Sequence, residues 1–286
     1  MTKVVLVSGG VDSMLVGNLL ARRGEEFVPL FVDYGQPYAD VEGAVVEDLF
    51  RGVRRVTVSG LPIGDGHYVP ARNLMLATFA ARFGPRIYLG GMRDDNCPDK
   101  TPQALLQMSR ILSDHCGYAV AVESPFWDKS KAEAIHEYLM SGGSKERLLQ
   151  TFSCYTPVGG EACFDCNACL RWSVAMQANG IYAELPSRRL LVEYLGKMHE
   201  YDSVRSWTLV EAAKKKHRVF EVKVTGDMLA APPSDLIAAS VRRASHSGAI
   251  VVVVSPLWEV YRRRLTDWLG DIPHDAIVMG HAPWRQ

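Results

Sequence analysis

Residues 5–15 read VLVSGGVDSML. An apolar run of strand type meets Ser8, two glycines and Val11-Asp12-Ser13, and an apolar run of helical spacing follows. Glycines at such a junction let the chain turn sharply and let its backbone come close to a ligand. The free N–H groups at the start of a helix, joined by two serine hydroxyls, favour an anion. A phosphate is the natural guest. The loop has no GK[ST], so it is not a Walker loop with its lysine, and it does not match GxGxxG. Its other reading is a glycine-rich turn in which Asp12 and Ser13 cap the helix.

Strand–loop–helix continues outward from this stretch. Strand patterns are expected at Val4–Val7, Phe27–Asp33, Arg55–Val58, Ile87–Gly90 and Tyr118–Glu123. Helices are expected at Met14–Arg23, Ala39–Phe50, Asn73–Phe83, Gln103–His115 and Ser130–Leu139. This alternation predicts an α/β fold, a doubly wound and mostly parallel sheet, with ligands at the carboxyl ends of its strands. The chain has 286 residues, 48% hydrophobic and 22% charged, which suits a large globular domain with an appendage. Its formal net charge is zero, so no global field draws it to nucleic acid or membrane. With no signal-peptide pattern and no long apolar run, a soluble cytoplasmic protein is expected, with no membrane contact.

Six cysteines are too few and too clustered for a disulfide scaffold. Cys154, Cys163, Cys166 and Cys169 end in two strict intervals of three, and Gly159-Gly160 gives the chain slack to fold back. Four thiolates suit a closed, tetrahedral, structural zinc. Cys116 reads as core filler, and Cys97 has no activating neighbour in sequence. His67 precedes a motif described below. His115, His136, His199, His217, His246, His274 and His281 show no ligand spacing.

The loop SGGVDS resembles the pyrophosphate loop (PP-loop) of the ATP pyrophosphatase superfamily. An ordered set narrows this: SGGVDS, DYGQ at 33–36, VPARN at 69–73, CPD at 97–99, SKAEAI at 130–135, then SCY with the CxxCxxC tail. Together, over residues 1–186, they resemble 7-cyano-7-deazaguanine synthase. The resemblance implies an ATP-dependent ligase acting on 7-carboxy-7-deazaguanine and ammonia. ATP would adenylate the acid, ammonia would give the amide, and a second ATP would lead to the nitrile, with AMP and pyrophosphate released. It implies zinc and Mg as metals and ATP as co-substrate, and a homodimer is expected. Ser8, Gly9, Gly10, Val11, Asp12 and Ser13 would hold the pyrophosphate. Tyr34 and Gln36 would lie near a nucleotide base. Glu42 matches a recurrent glutamate, or else sits on a solvated helix face. Arg72 offers a planar fork to phosphate or carboxylate, and Asn73 would cap the following helix. Asp99 would read the guanine-like edge, Asp94 and Asp95 would handle metal or ammonia, and Lys131 would neutralise phosphate charge.

Three departures from the family pattern stand out. Phe164 stands where glycine is usual, Arg171 lies two rather than three residues after the last cysteine with Trp172 in the usual place, and Lys100-Thr101 replace Cys-Arg. The last change leaves open a relative that stops at 7-amido-7-deazaguanine or takes another acceptor. A non-catalytic relative that binds nucleotide or nucleic acid is the remaining alternative, though direct nucleic-acid binding is not expected. Residues 187–286 carry no recognised motif. Strands at Arg218–Val224, Ala249–Ser255 and Asp275–Met279, with helices at Ser234–Ser245 and Leu257–Leu269 and a helical stretch around 190–216, predict a small βαβαβ module of unknown role. Lys214–Lys216 and Arg262–Arg264 read either as phosphate-backbone contacts or as solvated helix faces.

Overall fold

The computed structural model describes residues 1–64, 69–95, 97–185, 187–197, 203–223, 235–254 and 277–280. In chain order the elements are β1 (Lys3–Val7), α1 (Val11–Arg22), β2 (Val28–Asp33), α2 (Ala39–Leu49), β3 (Arg54–Thr57), α3 (Arg72–Ala81), β4 (Arg86–Tyr88), α4 (Pro102–Cys116), β5 (Ala121–Glu123), α5 (Lys131–Met140), α6 (Lys145–Leu149) and α7 (Asn167–Ala178). Then follow α8 (Arg188–Gly196), α9 (Ser203–Lys216), β6 (Val219–Lys223), α10 (Asp235–His246), β7 (Ile250–Val254) and β8 (Ile277–Gly280). The chain divides into two compact units, Met1–Trp172 and Ser173–Gln286.

The first unit holds a five-stranded sheet in the order β3-β2-β1-β4-β5, parallel at every pairing. This is the doubly wound order, and its direction of winding reverses between β1 and β4. Helices cover both faces. Val4, Leu30, Ile87 and Val122 pack beneath Ala77 and Ala80 of α3 and Leu105, Met108 and Leu112 of α4. Period-2 side-chain alternation sends Val5 and Val7 of β1 to the other face, where α1 packs against α5. Val4 and Val5 are both fully buried, which is why the strand reads as an unbroken apolar run and not as an alternating one.

Helix ends follow local chemistry. Ser130 and Glu133 form a reciprocal capping box on α5, Thr101 caps α4 by accepting the Ala104 N–H at 3.2 Å, and Gly117 closes α4 at φ 73°. The short α6 and the helix α7, which starts inside the cysteine motif, carry no expectation from sequence, because the cysteine spacing dominates that stretch.

The second unit has a three-stranded parallel sheet in the order β6-β7-β8, with α10 connecting β6 to β7. Its three strands, α10 and the helices α8 and α9 match the expected segments. The expected helix Leu257–Leu269, the run Arg262–Arg264, and His67, His199, His274 and His281 lie outside the described residues. Lys214–Lys216 lie exposed at the end of α9, as on a solvated helix face, and each bonds to a neighbouring group. Lys214 pairs with Glu211 and Glu221 at 2.9 and 2.8 Å, and Lys216 Nζ donates to the Leu185 carbonyl at 2.6 Å.

Candidate active site and cysteine centre

A cleft opens at the carboxyl ends of β1, β2 and β4, at the switch point. Its floor is the loop after β1. Gly9 holds φ +68°, and a Cβ there would meet Val45 Cγ1 at 3.0 Å, so only glycine fits this turn against α2. Gly10 is the N-cap of α1 and no side chain caps the helix, which leaves its first N–H groups for a ligand. Asp12 and Ser13 therefore do not act as caps. Ser13 Oγ instead donates to the Gly10 carbonyl at 3.0 Å and accepts the Ser8 N–H at 3.4 Å, which fixes the loop. Phe152 N–H donates to the Gly9 carbonyl at 2.9 Å and ties the segment before the cysteines to the loop. Gly90 after β4 is a second obligatory glycine, since a Cβ there would lie 2.5 Å from Asp12 Cβ.

Charged groups meet above that loop. Lys131, at the start of α5, is buried and its ammonium pairs with Asp12. Asp95 is 4% exposed and accepts from Lys100 Nζ at 2.8 Å, Arg171 Nη1 at 3.2 Å and Met92 N–H at 3.2 Å. Burial alone would raise the Asp95 pKa, but Lys100, then Arg171 and Lys131, outweigh it and hold the carboxyl below the usual carboxylate range. Burial disfavours the Lys100 cation, yet Asp95 and then Asp12 raise its pKa above the ordinary lysine value. Asp94 does not line the cleft. Its Oδ1 accepts the Lys131 N–H at 3.1 Å and so anchors the start of α5.

At the β2 end the surface is aromatic. Gln36 Oε1 accepts the Tyr34 N–H at 2.9 Å, and its Nε2 donates to Glu42 Oε2 at 3.1 Å. Burial pushes the Glu42 carboxyl up to about 8, against the Gln36 bond and the Arg72 charge. Glu42 thus lines the cleft and does not lie on a solvated face. Tyr38 and Tyr155 stand with ring centroids 5.9 Å apart. Burial pulls the Arg72 pKa down, but the facing Tyr34, Tyr155 and Tyr38 leave it net raised.

Asn73 is a correction to the expected cap. Ala71, in the left-handed region at φ 52°, is the N-cap of α3, and Asn73 lies inside the helix. The cap comes from another segment, because Asp99 Oδ2 accepts the Asn73 N–H at 3.4 Å. Asp99 Oδ1 also accepts from the Cys97 thiol at 3.3 Å, and the residues facing the cleft beside it are Asn73 and Lys100. The buried Asn73 Nδ2 has no hydrogen-bond partner among the described residues, although the side chain lines the cleft.

The structure thus gathers Ser8, Gly10, Asp12, Ser13, Tyr34, Gln36, Arg72, Asn73 and Lys131 around one cleft. Val11 lies buried as the first residue of α1, and Asp94, Asp95 and Asp99 form the layer behind. Lys100 and Arg171 stand out in sequence only as departures, yet both line the cleft. A cation directly after Pro98-Asp99 was the available signal for Lys100. For Arg171 there was none, since its partner lies 76 positions away.

The sulfur atoms of Cys154, Cys163, Cys166 and Cys169 lie within 4.8 Å of one another. Sulfurs bonded at ~2.3 Å around a tetrahedral zinc stand roughly 3.8 Å apart, so the set fits such an ion with little movement. Backbone N–H groups already point at these sulfurs: Cys163 at Cys154 Sγ (3.3 Å), Tyr155 at Cys166 Sγ (3.5 Å) and Asp165 at Cys163 Sγ (3.4 Å). Such donors stabilise thiolates and orient them as ligands. Phe164 adopts φ 52°, the left-handed conformation for which glycine is the usual choice.

No helix among the described residues is long and apolar enough to cross a membrane. The family profile described as "Queuosine biosynthesis protein QueC" matches residues 64–180. The 7-cyano-7-deazaguanine synthase 2 of Desulfitobacterium hafniense (strain Y51) is 30% identical over 201 residues, covering 58% of this chain and 84% of that protein. The 7-cyano-7-deazaguanine synthase of Marinobacter nauticus is 26% identical over 220 residues, covering 65% of this chain and 97% of that protein. Among solved structures, a "predicted subunit of tRNA methyltransferase" from Methanocaldococcus jannaschii aligns at 17% identity with a TM-score of 0.36, covering 51% of this chain and 91% of that one. The fold rests on the strand order above and not on that likeness.

Proposed function

This chain belongs to the 7-cyano-7-deazaguanine synthase (QueC) family, and on that premise we propose that it is an ATP-dependent ligase converting 7-carboxy-7-deazaguanine and ammonia to the nitrile. The observation that carries the proposal is the uncapped start of α1 beside the half-buried Asp12–Lys131 pair at the switch point.

A carboxylate is a poor electrophile, because its leaving group would be oxide. Transfer of AMP from ATP to one carboxylate oxygen forms a mixed anhydride and releases pyrophosphate. Ammonia then adds at the carbonyl carbon, AMP leaves, and a proton is lost to give the amide. A second AMP transfer to the amide oxygen, with release of a second pyrophosphate, followed by loss of AMP and of both amide protons, leaves the carbon–nitrogen triple bond. No step needs a covalent enzyme nucleophile. The chain's work is to position the reactants, neutralise charge on phosphorus and exclude water.

In this scheme the N–H groups at Gly10 and after it, with the Ser8 and Ser13 hydroxyls, hold the pyrophosphate, and Lys131 neutralises its charge. The Asp12 carboxylate would hold Mg, which would supply neutralisation of phosphate charge. Tyr34 and Gln36 seat a base. Arg72 and the unpartnered Asn73 Nδ2 donate to the acceptor's carboxylate. Asp95, paired with Lys100 and Arg171, and Asp94 and Asp99, engaged with backbone N–H groups, orient these residues. Zinc on the four cysteines would brace the segment that ties to Gly9.

The test is one reaction: pure protein, Mg-ATP, ammonium and 7-carboxy-7-deazaguanine, read by mass spectrometry. Nitrile together with AMP supports the proposal. Amide alone assigns an enzyme that stops halfway and directs attention to Lys100-Thr101. Absence of both products and of AMP, from folded and metal-loaded protein, overturns it.

A further inference from the structure

Two of the positions that depart from the family motif meet on one carboxylate. Lys100 lies on the short 3-10 turn Pro98–Lys100 after β4, and Arg171 lies on α7. Both donate to Asp95, one to each oxygen. The replacement at 100 and the one-residue shift of the arginine are therefore physically coupled through Asp95.

The sheet order explains where this places the Lys100 ammonium. Asp12 follows β1, Lys100 follows β4 and Lys131 starts the helix after β5, and these three strands are neighbours. The three loops thus lie side by side along the carboxyl edge. Lys131 pairs with Asp12 from one side, and Lys100, held by Asp95, faces the same cleft from the neighbouring loop. Both lysines line the cleft that contains Ser8, Gly10 and Ser13. A buried ionic network stabilises a fold little better than a well-packed apolar set would. Stability is therefore a poor reason for this one. Two lysines beside an uncapped helix start instead match a guest with several anionic oxygens.

We propose that Lys100 is a second pyrophosphate-binding cation beside Lys131, with Asp95 and Arg171 as the residues that position it. This rests on the reading that the loop after β1 takes the pyrophosphate part of Mg-ATP. The two ideas are separable by binding of inorganic pyrophosphate with Mg to the full-length protein, measured by calorimetry without turnover. Wild type is compared with Lys100→Gln, which keeps a donor for Asp95 but no charge, and with Lys100→Arg, which keeps the charge. Thermal unfolding and bound-metal content check that each variant is folded.

The expected result is pyrophosphate binding weakened roughly tenfold to a hundredfold in Lys100→Gln and restored to within about threefold of wild type in Lys100→Arg. The salt dependence of binding is also expected to flatten in Lys100→Gln only. Equal affinity of Lys100→Gln and wild type overturns the proposal and leaves the pyrophosphate-loop reading standing. Failure of wild type to bind Mg-pyrophosphate overturns both. Weakening in Lys100→Arg equal to that in Lys100→Gln reduces Lys100 to a packing role and also overturns it. If Lys100→Gln fails to fold, Lys100→Cys, the residue usual in the family, is read by the same criteria.

Discussion

Replacing Asp95 by asparagine removes a single charge and leaves the side chain's shape. Lys100 and Arg171, with side chains 16% and 28% exposed, then face each other without their shared counter-charge. Removing one partner of a buried ion pair costs about 3–5 kcal/mol. Partial solvent access to both cations places this case at the low end, ~3 kcal/mol. For a unit of this size each kcal/mol moves Tm by about 2–4 °C, so Asp95→Asn is expected to unfold roughly 6–12 °C below wild type near neutral pH. The pH dependence adds a second criterion. The Asp95 pKa is depressed in the folded state. Its contribution is therefore complete above the unfolded value of ~3.9 and is lost as pH falls below that toward the folded value. The Tm gap between variant and wild type should stay constant from about pH 8 to about pH 5 and close below about pH 4. Differential scanning calorimetry across that range is the assay. A neutral-pH gap under about 2 °C, or a gap that persists unchanged at about pH 3, would refute the reasoning that Asp95 is the counter-ion of this cluster.

Four further outcomes are expected. Lys131→Met should lower AMP release about a hundredfold or more while the protein stays folded, read in a single-turnover ATP assay, because the cation facing Asp12 is lost. Glu42 has a folded pKa raised to about 8, so its burial makes stability fall as pH rises from about 4.3 to that value, by at most ~1.4 kcal/mol per pH unit. Glu42→Gln should remove this slope from a series of unfolding curves. Cys163→Ser should lose bound metal, measured by mass spectrometry of the native protein, with a lowered Tm. Phe164→Gly exchanges left-handed strain of about 1–2 kcal/mol for a glycine entropy cost of about 0.5–1 kcal/mol. A Tm rise of a few degrees, with metal content unchanged, is the expected sign.

Much of the first unit was legible because its signals are local. The unbroken Val4–Val7 run, the glycines after it and the alternation beyond all arise within windows of ten residues or so, and β1–β5 and α1–α5 formed within a few positions of their expected bounds. The cysteine spacing was equally local. What local pattern misassigned was the partner of each polar group. Asn73 has the sequence of a cap, but Asp99, 26 positions on, supplies it. Asp99, which the resemblance assigns to the substrate edge, also accepts from Cys97 and from the Asn73 N–H, partners that no local pattern announces.

The sequence by itself determined the winding of the first sheet, the glycine turn that opens α1 after the first strand and the four-cysteine set, because periodicity, glycine and thiol spacing act over short stretches of chain. Only the tertiary structure decided which charges share a site. Lys131 reaches Asp12 across 119 positions, and Arg171 reaches Asp95 across 76. Strand order, not sequence order, makes those loops neighbours. A buried charge takes the nearest counter-charge in space, so the identity of the ion pairs, and the place of Lys100 among them, existed only once the sheet had assembled.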